Sequence, residues 1–173
     1  MQSFDTATVA DWLARMGAEL LDQLSAGAVE DVGMIGIHSG GVRVARALHD
    51  QLGLQLPPGT LNISFYRDDF SRIGLHPQVA PSQLPFAVEG RTIVLVDDVL
   101  YSGRTVRAAL NEIFDYGRPA RVLLAVLVER QGHELPIRAD VAGARLALAP
   151  QQQVKLAPDA LSLSVQDVAG RTP

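Results

Sequence analysis

The sequence predicts an α/β fold with a mainly parallel central sheet flanked by helices. Three observations carry that prediction. The apolar runs Val32–His38, Thr92–Val96 and Val122–Val128 have strand length and lack the alternation of a half-exposed strand, as expected of parallel strands buried on both faces. Segments with apolar residues at helical spacing stand between them. Strand and helix therefore alternate, the order that covers both faces of a parallel sheet.

Taken in order, Val9, Trp12, Leu13, Met16, Leu20 and Leu24 recur at helical spacing and predict a helix over 6–25. The strand Val32–His38 runs into Ser39-Gly40-Gly41 and a second helix through Val44, Ala45, Leu48 and Leu52. Leu61–Tyr66 alternates like a strand. From Arg67 to Gly90 no period is sustained, and Pro77, Pro81 and Pro85 interrupt the chain. Connections longer than about 12–15 residues are uncommon in compact domains and are usually functional or disordered. Thr92–Val96 then ends on two adjacent acids, Asp97 and Asp98. A turn with Ser102 and Gly103 opens a helix through Thr105, Val106, Ala109, Leu110 and Ile113, which stops near Gly117 with Pro119 just beyond. After the Val122–Val128 strand, the tail 147–165 suits short edge strands. No repeat interrupts this plan, which reads as one domain over 1–173.

Composition narrows the functional class. Hydrophobic residues make up 47% of the 173-residue chain and charged residues 20%, which excludes general disorder. There is no cysteine, so neither disulfides nor thiol chemistry contribute. The first eleven residues hold two acids and no base, unlike a secretory signal. No apolar run approaches the ~20 residues that span a bilayer. A soluble, cytoplasmic protein with no membrane contact is expected. The net charge of −4 argues against a broadly basic, nucleic-acid-gripping surface. Of 15 basic residues only Lys155 is a lysine. Arginine suits bidentate phosphate recognition, although a compositional bias explains the count as well.

The stretch 92–105 carries the chemistry. In an open α/β sheet, ligands bind outside the carboxyl ends of the strands. Unpaired N–H groups at the start of a helix suit a phosphate. A phosphate cradle beside paired acids points to a sugar phosphate, the carboxylates facing two ribose hydroxyls. The bland alternative is a βα turn with solvated acids and a capping serine. The nucleotide P-loop and the dinucleotide fingerprint are both missing. His49, His76 and His133 show no ligand spacing, which speaks against a protein-held zinc.

Val94 to Thr105 resembles the phosphoribosyl-pyrophosphate (PRPP) motif of the type I phosphoribosyltransferases. Tyr66-Arg67-Asp68-Asp69-Phe70-Ser71, Val99 to Arg107 and Glu134-Leu135-Pro136-Ile137-Arg138-Ala139-Asp140 are similar to segments of the PyrR family, regulators of pyrimidine operons that double as uracil phosphoribosyltransferases. The resemblance runs in order over about residues 5–156. It implies the type I phosphoribosyltransferase fold, with a small hood at about 131–160 and a flexible lid loop at about 67–90. It also implies conversion of uracil and PRPP to UMP and pyrophosphate, with Mg2+ as cofactor, and a homodimer or higher homo-oligomer.

The resemblance assigns roles residue by residue. The N–H groups of Tyr101, Ser102, Gly103, Arg104 and Thr105, with the hydroxyls of Ser102 and Thr105, hold the 5′-phosphate. Asp97 and Asp98 hold the ribose, directly or through water on Mg2+. Arg67, Asp68 and Asp69 stand at the entrance of the lid, Arg67 as a catalytic charge that arrives on closure, when water must be kept from an oxocarbenium-like transition state. His38, Ser39, Gly40 and Gly41 form the pyrophosphate loop, where glycines let the backbone approach closely. Attenuator-type relatives have Lys-Thr-Arg-Gly there. With His38 and Gly40 in place of two cations, magnesium or Arg67 has to neutralise the leaving group.

Base recognition falls to Ile137, Arg138, Ala139 and Asp140, whose main-chain groups suit the two carbonyls and the N3–H of uracil. Purine-using relatives place an aspartate at the position of Tyr101, so tyrosine favours a pyrimidine. Gln131-Gly132-His133 departs from the Gly-His-Arg of relatives. The rival reading is an RNA-binding attenuation regulator sensing UMP and PRPP. RNA contact on the first helix is doubtful, because Ala14, Ala18 and Gln23 replace the threonine, histidine and arginine that face RNA in attenuators. Arg138 and Arg145 remain as RNA candidates. An orotate or purine phosphoribosyltransferase fits the central motif but not the two flanking segments.

Overall fold

The computed structural model describes residues 2–24, 29–63 and 81–168. Its frame is a five-stranded parallel sheet in the order β3-β2-β4-β5-β6, made of β2 (Gly33–Ile37), β3 (Gly59–Leu61), β4 (Thr92–Leu100), β5 (Arg121–Arg130) and β6 (Val141–Leu146). The α/β architecture read from the sequence is the observed one. Helices α1 (Thr6–Leu24) and α2 (Gly40–Leu52) cover one face, and α3 (Arg104–Tyr116) covers the other.

Side-chain alternation builds the two cores. Val94 and Val96 of β4, with Leu123, Ala125 and Leu127 of β5, face α1 and α2. Ile93 and Leu95, with Leu124 and Val126, face Val106, Ala109 and Ile113 of α3. The apolar stripe of α1 is core, since Val9, Met16 and Leu20 are fully buried. Asp5 caps that helix, accepting the Thr8 N–H at 2.8 Å.

A second, antiparallel sheet joins β1 (Ser3–Phe4), β8 (Leu163–Asp167) and β7 (Gln152–Leu156). It confirms short strands in the tail and recruits the N-terminus, whose Phe4 ring meets Trp12 at 4.9 Å.

Four boundaries differ from the expectation. The strand expected at Leu61–Tyr66 is Gly59–Leu61, because β2 sets its register from Ile35↔Gly59 to Ile37↔Leu61. Residues 64–66 lie outside the described residues. The central strand continues past Val96 to Leu100, because β5 stays paired with it as far as Leu100↔Glu129. The 131–160 stretch is not one hood: Val141–Leu146 is an edge strand of the main sheet and Gln152–Leu156 belongs to the small one. The 67–90 stretch is part of the fold from residue 81 on. There Gln83 exchanges both backbone hydrogen bonds with Thr60 at 2.8 Å, and Val88 is buried.

Candidate functional site

The strand order fixes where a ligand enters. From β2 the chain moves outward to β3, whereas β4, β5 and β6 extend the other way. The reversal lies between β2 and β4, and the crevice outside their carboxyl ends is the expected binding site of such a sheet. The register opens it: β2 pairs with β4 only as far as Gly36↔Val96. The next two residues of β4 are Asp97 and Asp98.

The acids are thus inside a strand that has lost one neighbour. Asp97 is buried, at 5% exposure, and accepts the N–H of Asp98 at 2.9 Å. Asp98 is partly exposed and accepts the N–H of Val99 at 2.9 Å. Alternation sends their side chains to opposite faces. Among the described residues no ion pair engages Asp98.

Across the crevice, the loop after β2 lies directly on these acids. A Cβ on Gly40 would sit 2.1 Å from Asp98 Oδ2. One on Gly41 would sit 2.6 Å from the Val96 carbonyl oxygen and 3.1 Å from Asp97 Oδ1. Glycine is required at both positions by this contact. The His38 N–H donates to Leu61 O at 2.8 Å, the His38–Ser39 peptide is cis, and Ser39 starts α2 without a side-chain cap. Gly40 and Gly41 therefore lie against the acid pair, with His38 and Ser39 just before them in the chain.

On the other side, Gly103 turns β4 into α3 with φ of 93°, a conformation that costs any other residue strain. No side chain caps α3 at Gly103. Ser102 Oγ accepts the Arg104 N–H at 3.2 Å, and among the described residues nothing takes its own hydroxyl hydrogen. Thr105 sits in the first turn, where helical N–H groups lack intrahelical partners.

The segment 132–138 leans on this loop. Ser102 O accepts the N–H groups of Glu134 at 2.9 Å and Leu135 at 3.2 Å. Ile137 and Leu135 pack on Gly103, a Cβ there meeting both at 3.4 Å. The Tyr101 ring is covered by the Arg130 guanidinium at 4.1 Å and presses on Gly132. Arg104 and Glu134 form an exposed ion pair at 2.8 Å, of small energetic weight.

The site residues do not all converge. The Arg138 side chain is exposed and donates through Nη1 to Ile137 O, so only its backbone is left to serve the site. Asp140 is anchored lower in the sheet, exchanging hydrogen bonds with the backbone of Leu124, the residue paired with Leu95. That anchoring starts β6 and sets Asp140 apart from the crevice. Arg67, Asp68 and Asp69 lie outside the described residues. Among the described residues, no cluster of three or more His, Asp or Glu side chains is arranged for a metal, and no helix is long and apolar enough to cross a membrane.

Sequence reasoning missed a buried charge pair at the end of β5. Glu129 and Arg130 are 6% and 4% exposed. Arg130 donates to the carbonyls of Gln152 and Ala149 of the small-sheet region, while Arg43 of α2 donates to Ala157 O. The one signal for them is that two opposite charges close the apolar run Val122–Val128.

The comparisons agree with this geometry. The model of the phosphoribosyl transferase domain matches residues 8–150. The chain is similar to the bifunctional protein PyrR of Nitrosococcus oceani, 68% identical over 136 residues that cover 77% of each chain. It is similar to that of Pseudomonas putida, 56% identical over 164 residues, 94% of this chain and 95% of the relative. Among solved structures, a hypoxanthine-guanine phosphoribosyltransferase from Bacillus anthracis superposes with a TM-score of 0.67 at 13% identity, covering 83% of this chain and 82% of that one. A second, a hypoxanthine-guanine-xanthine phosphoribosyltransferase, gives 0.62 at 19% identity, over 83% and 76%. At such identity these two speak to fold alone. The crevice at the strand reversal, its acid pair and these matches lead to one conclusion: the chain is a phosphoribosyltransferase-fold member of the PyrR family.

Proposed function

We propose that the protein converts uracil and PRPP to UMP and pyrophosphate, serving pyrimidine salvage. The carrying observation is the stacking of three loops around one crevice: glycines 40 and 41 on the acid pair, and the 101–105 turn under the 132–138 segment. That order matches the order of groups in PRPP with a base beside it.

The N–H groups at the start of α3 and the hydroxyls of Ser102 and Thr105 bind the 5′-phosphate. Asp97 and Asp98 orient the ribose, and their negative charge favours the cation that develops at C1′. Ser39, Gly40 and Gly41 face pyrophosphate with backbone N–H groups, the His38 N–H being held by Leu61 O. Uracil N1 bonds to C1′, the C1′–O bond to pyrophosphate breaks, and the N1 proton passes to water or to the departing pyrophosphate. The donor set also fits Mg2+, which is commonly held by one or two carboxylates plus substrate phosphates and water. Asp97 and Asp98 would hold it, and its chemistry is neutralisation of pyrophosphate, useful where His38 and Gly40 supply no fixed cation. Arg67, Asp68 and Asp69 belong to this reading as lid residues, and the protein would act in the cytoplasm as a homodimer or larger homo-oligomer.

A regulatory role in pyrimidine biosynthesis has equal support from the relatives, whose name is bifunctional. The outer face of α1 does not favour RNA: Asp11, Ala14, Ala18, Glu19 and Asp22 are exposed there, with Arg15 alone opposing them and spending one nitrogen on Gly143 O. Arg138 and Arg145 are exposed arginines elsewhere.

The test is UMP formation from uracil, PRPP and magnesium, with orotate and hypoxanthine in parallel. Turnover of uracil alone supports the enzyme reading. Turnover of neither uracil nor the other bases, with saturable UMP binding and UMP-dependent retention of a pyrimidine-gene leader RNA, favours the regulator.

A further inference from the structure

We propose that Glu129 is a positioning residue for base recognition, holding the end of the 133–139 segment so that the Arg138 N–H faces the base. This rests on the reading of Ile137–Asp140 as the base-binding segment.

Burying a carboxylate is costly unless hydrogen bonds and opposite charge compensate. Glu129 is buried and has three partners. Arg145, its in-register neighbour on β6, donates Nε to Oε2 at 3.0 Å. The Ala139 N–H donates to Oε1 at 3.2 Å. His133 Nε2 lies 3.2 Å from the same oxygen, close enough for an ion pair but not aligned as a hydrogen bond. One carboxylate therefore grips the segment near both of its ends.

The N–H inventory of the segment then singles out one donor. Glu134 and Leu135 donate to Ser102 O, Ile137 to Leu135 O, Ala139 to Glu129 and Asp140 to Leu124 O. Pro136 has no N–H. Within 134–140 only the Arg138 N–H has no partner among the described residues. A free donor flanked by fixed ones is a place for a carbonyl of the base. Glu129 holds the N–H that follows it, and Ser102 O holds those of Glu134 and Leu135 before it. A hydrogen bond to an ionised carboxylate is stronger than one to a neutral acceptor, which suits a part that must not drift.

The test compares Glu129→Gln with the wild type in two readouts. The amide keeps the size of the side chain and removes its charge, and Glu129→Asp restores charge at shorter reach. In steady state, E129Q raises KM for uracil about tenfold and changes KM for PRPP less than about twofold. E129D falls between them. In amide exchange without ligand, Ala139 exchanges about tenfold faster in E129Q, while residues 101–105 keep wild-type rates. An unchanged KM for uracil, or equal rises for both substrates, overturns the proposal. If the wild type does not use uracil, the parent reading fails, and wild-type exchange at Ala139 in E129Q would still overturn the positioning role.

Discussion

The carboxyl ends of β4 and β5 lie side by side in one sheet and treat charge in opposite ways. At β4 the acids Asp97 and Asp98 follow the point where β2 stops pairing, and glycines of the next loop lie against them. At β5 both neighbours persist, β4 to Glu129 and β6 to Arg130, and the charges are consumed inside the protein. Glu129 meets Arg145, His133 and a backbone N–H, while Arg130 meets two carbonyls and an aromatic ring. A charge where a strand has lost its neighbour can act on a ligand. A charge where the strand keeps both neighbours is spent on holding adjoining segments of the chain.

The sharpest way to break this contrast is at the glycines. Gly41→Ala puts a Cβ against the backbone of Val96 and Asp97, which cannot swing aside. We expect stability to fall by roughly 1–3 kcal/mol in urea unfolding and turnover to fall about a hundredfold, since small misplacements at a reacting site are costly. Gly40→Ala meets the Asp98 side chain from Oδ2 at 2.1 Å back to Cβ at 3.0 Å, and no backbone atom among its nearest contacts. The melting temperature should fall less than in Gly41→Ala, while kcat drops about tenfold as that carboxylate is displaced. If Gly40→Ala left kcat intact, Asp98 would not need its present place.

At the β5 end, Arg130→Met removes the stack on Tyr101 and two donors to the small sheet. Stability should fall by about 1–3 kcal/mol with a rise of only a few-fold in KM for PRPP. A collapse of kcat with KM intact would instead place Arg130 in the chemistry.

Asp5 is a charge outside both ends and should move neither kinetic constant. The Thr8 N–H holds its carboxyl below the ordinary carboxylate range. A lowered folded pKa contributes stability above the unfolded value, and that contribution disappears as pH falls through the folded one. The Asp5→Ala variant should therefore melt lower at neutral pH, and the two melting curves should converge on acidification.

Much of the frame was legible because its signals are local. The runs Thr92–Val96 and Val122–Val128 are buried strands, and the turn proposed to hold phosphate is contiguous from Tyr101 to Thr105. What was missed depends on partners distant in the chain. Val141–Leu146 is short, with alanines and a glycine and no clear period, and only pairing with β5 makes it a strand. β1 has two residues and exists through β8. The acids looked terminal because the apolar run ends at Val96, whereas β5 keeps pairing beyond it. Glu129 and Arg130 went unremarked because residues 139, 145, 149 and 152 reach them only in the fold. Asp140 matched a motif by position, yet its carboxylate serves the Leu124 N–H.

The central claim is that the acid pair at the strand reversal performs the transfer. Its most direct test is UMP formation from uracil and PRPP by the wild type and by Asp97→Asn/Asp98→Asn, with melting temperatures taken on the same samples. The account predicts turnover in the wild type and a loss of at least about a thousandfold in the variant, which still unfolds cooperatively. A folded variant that keeps most of its activity would contradict it.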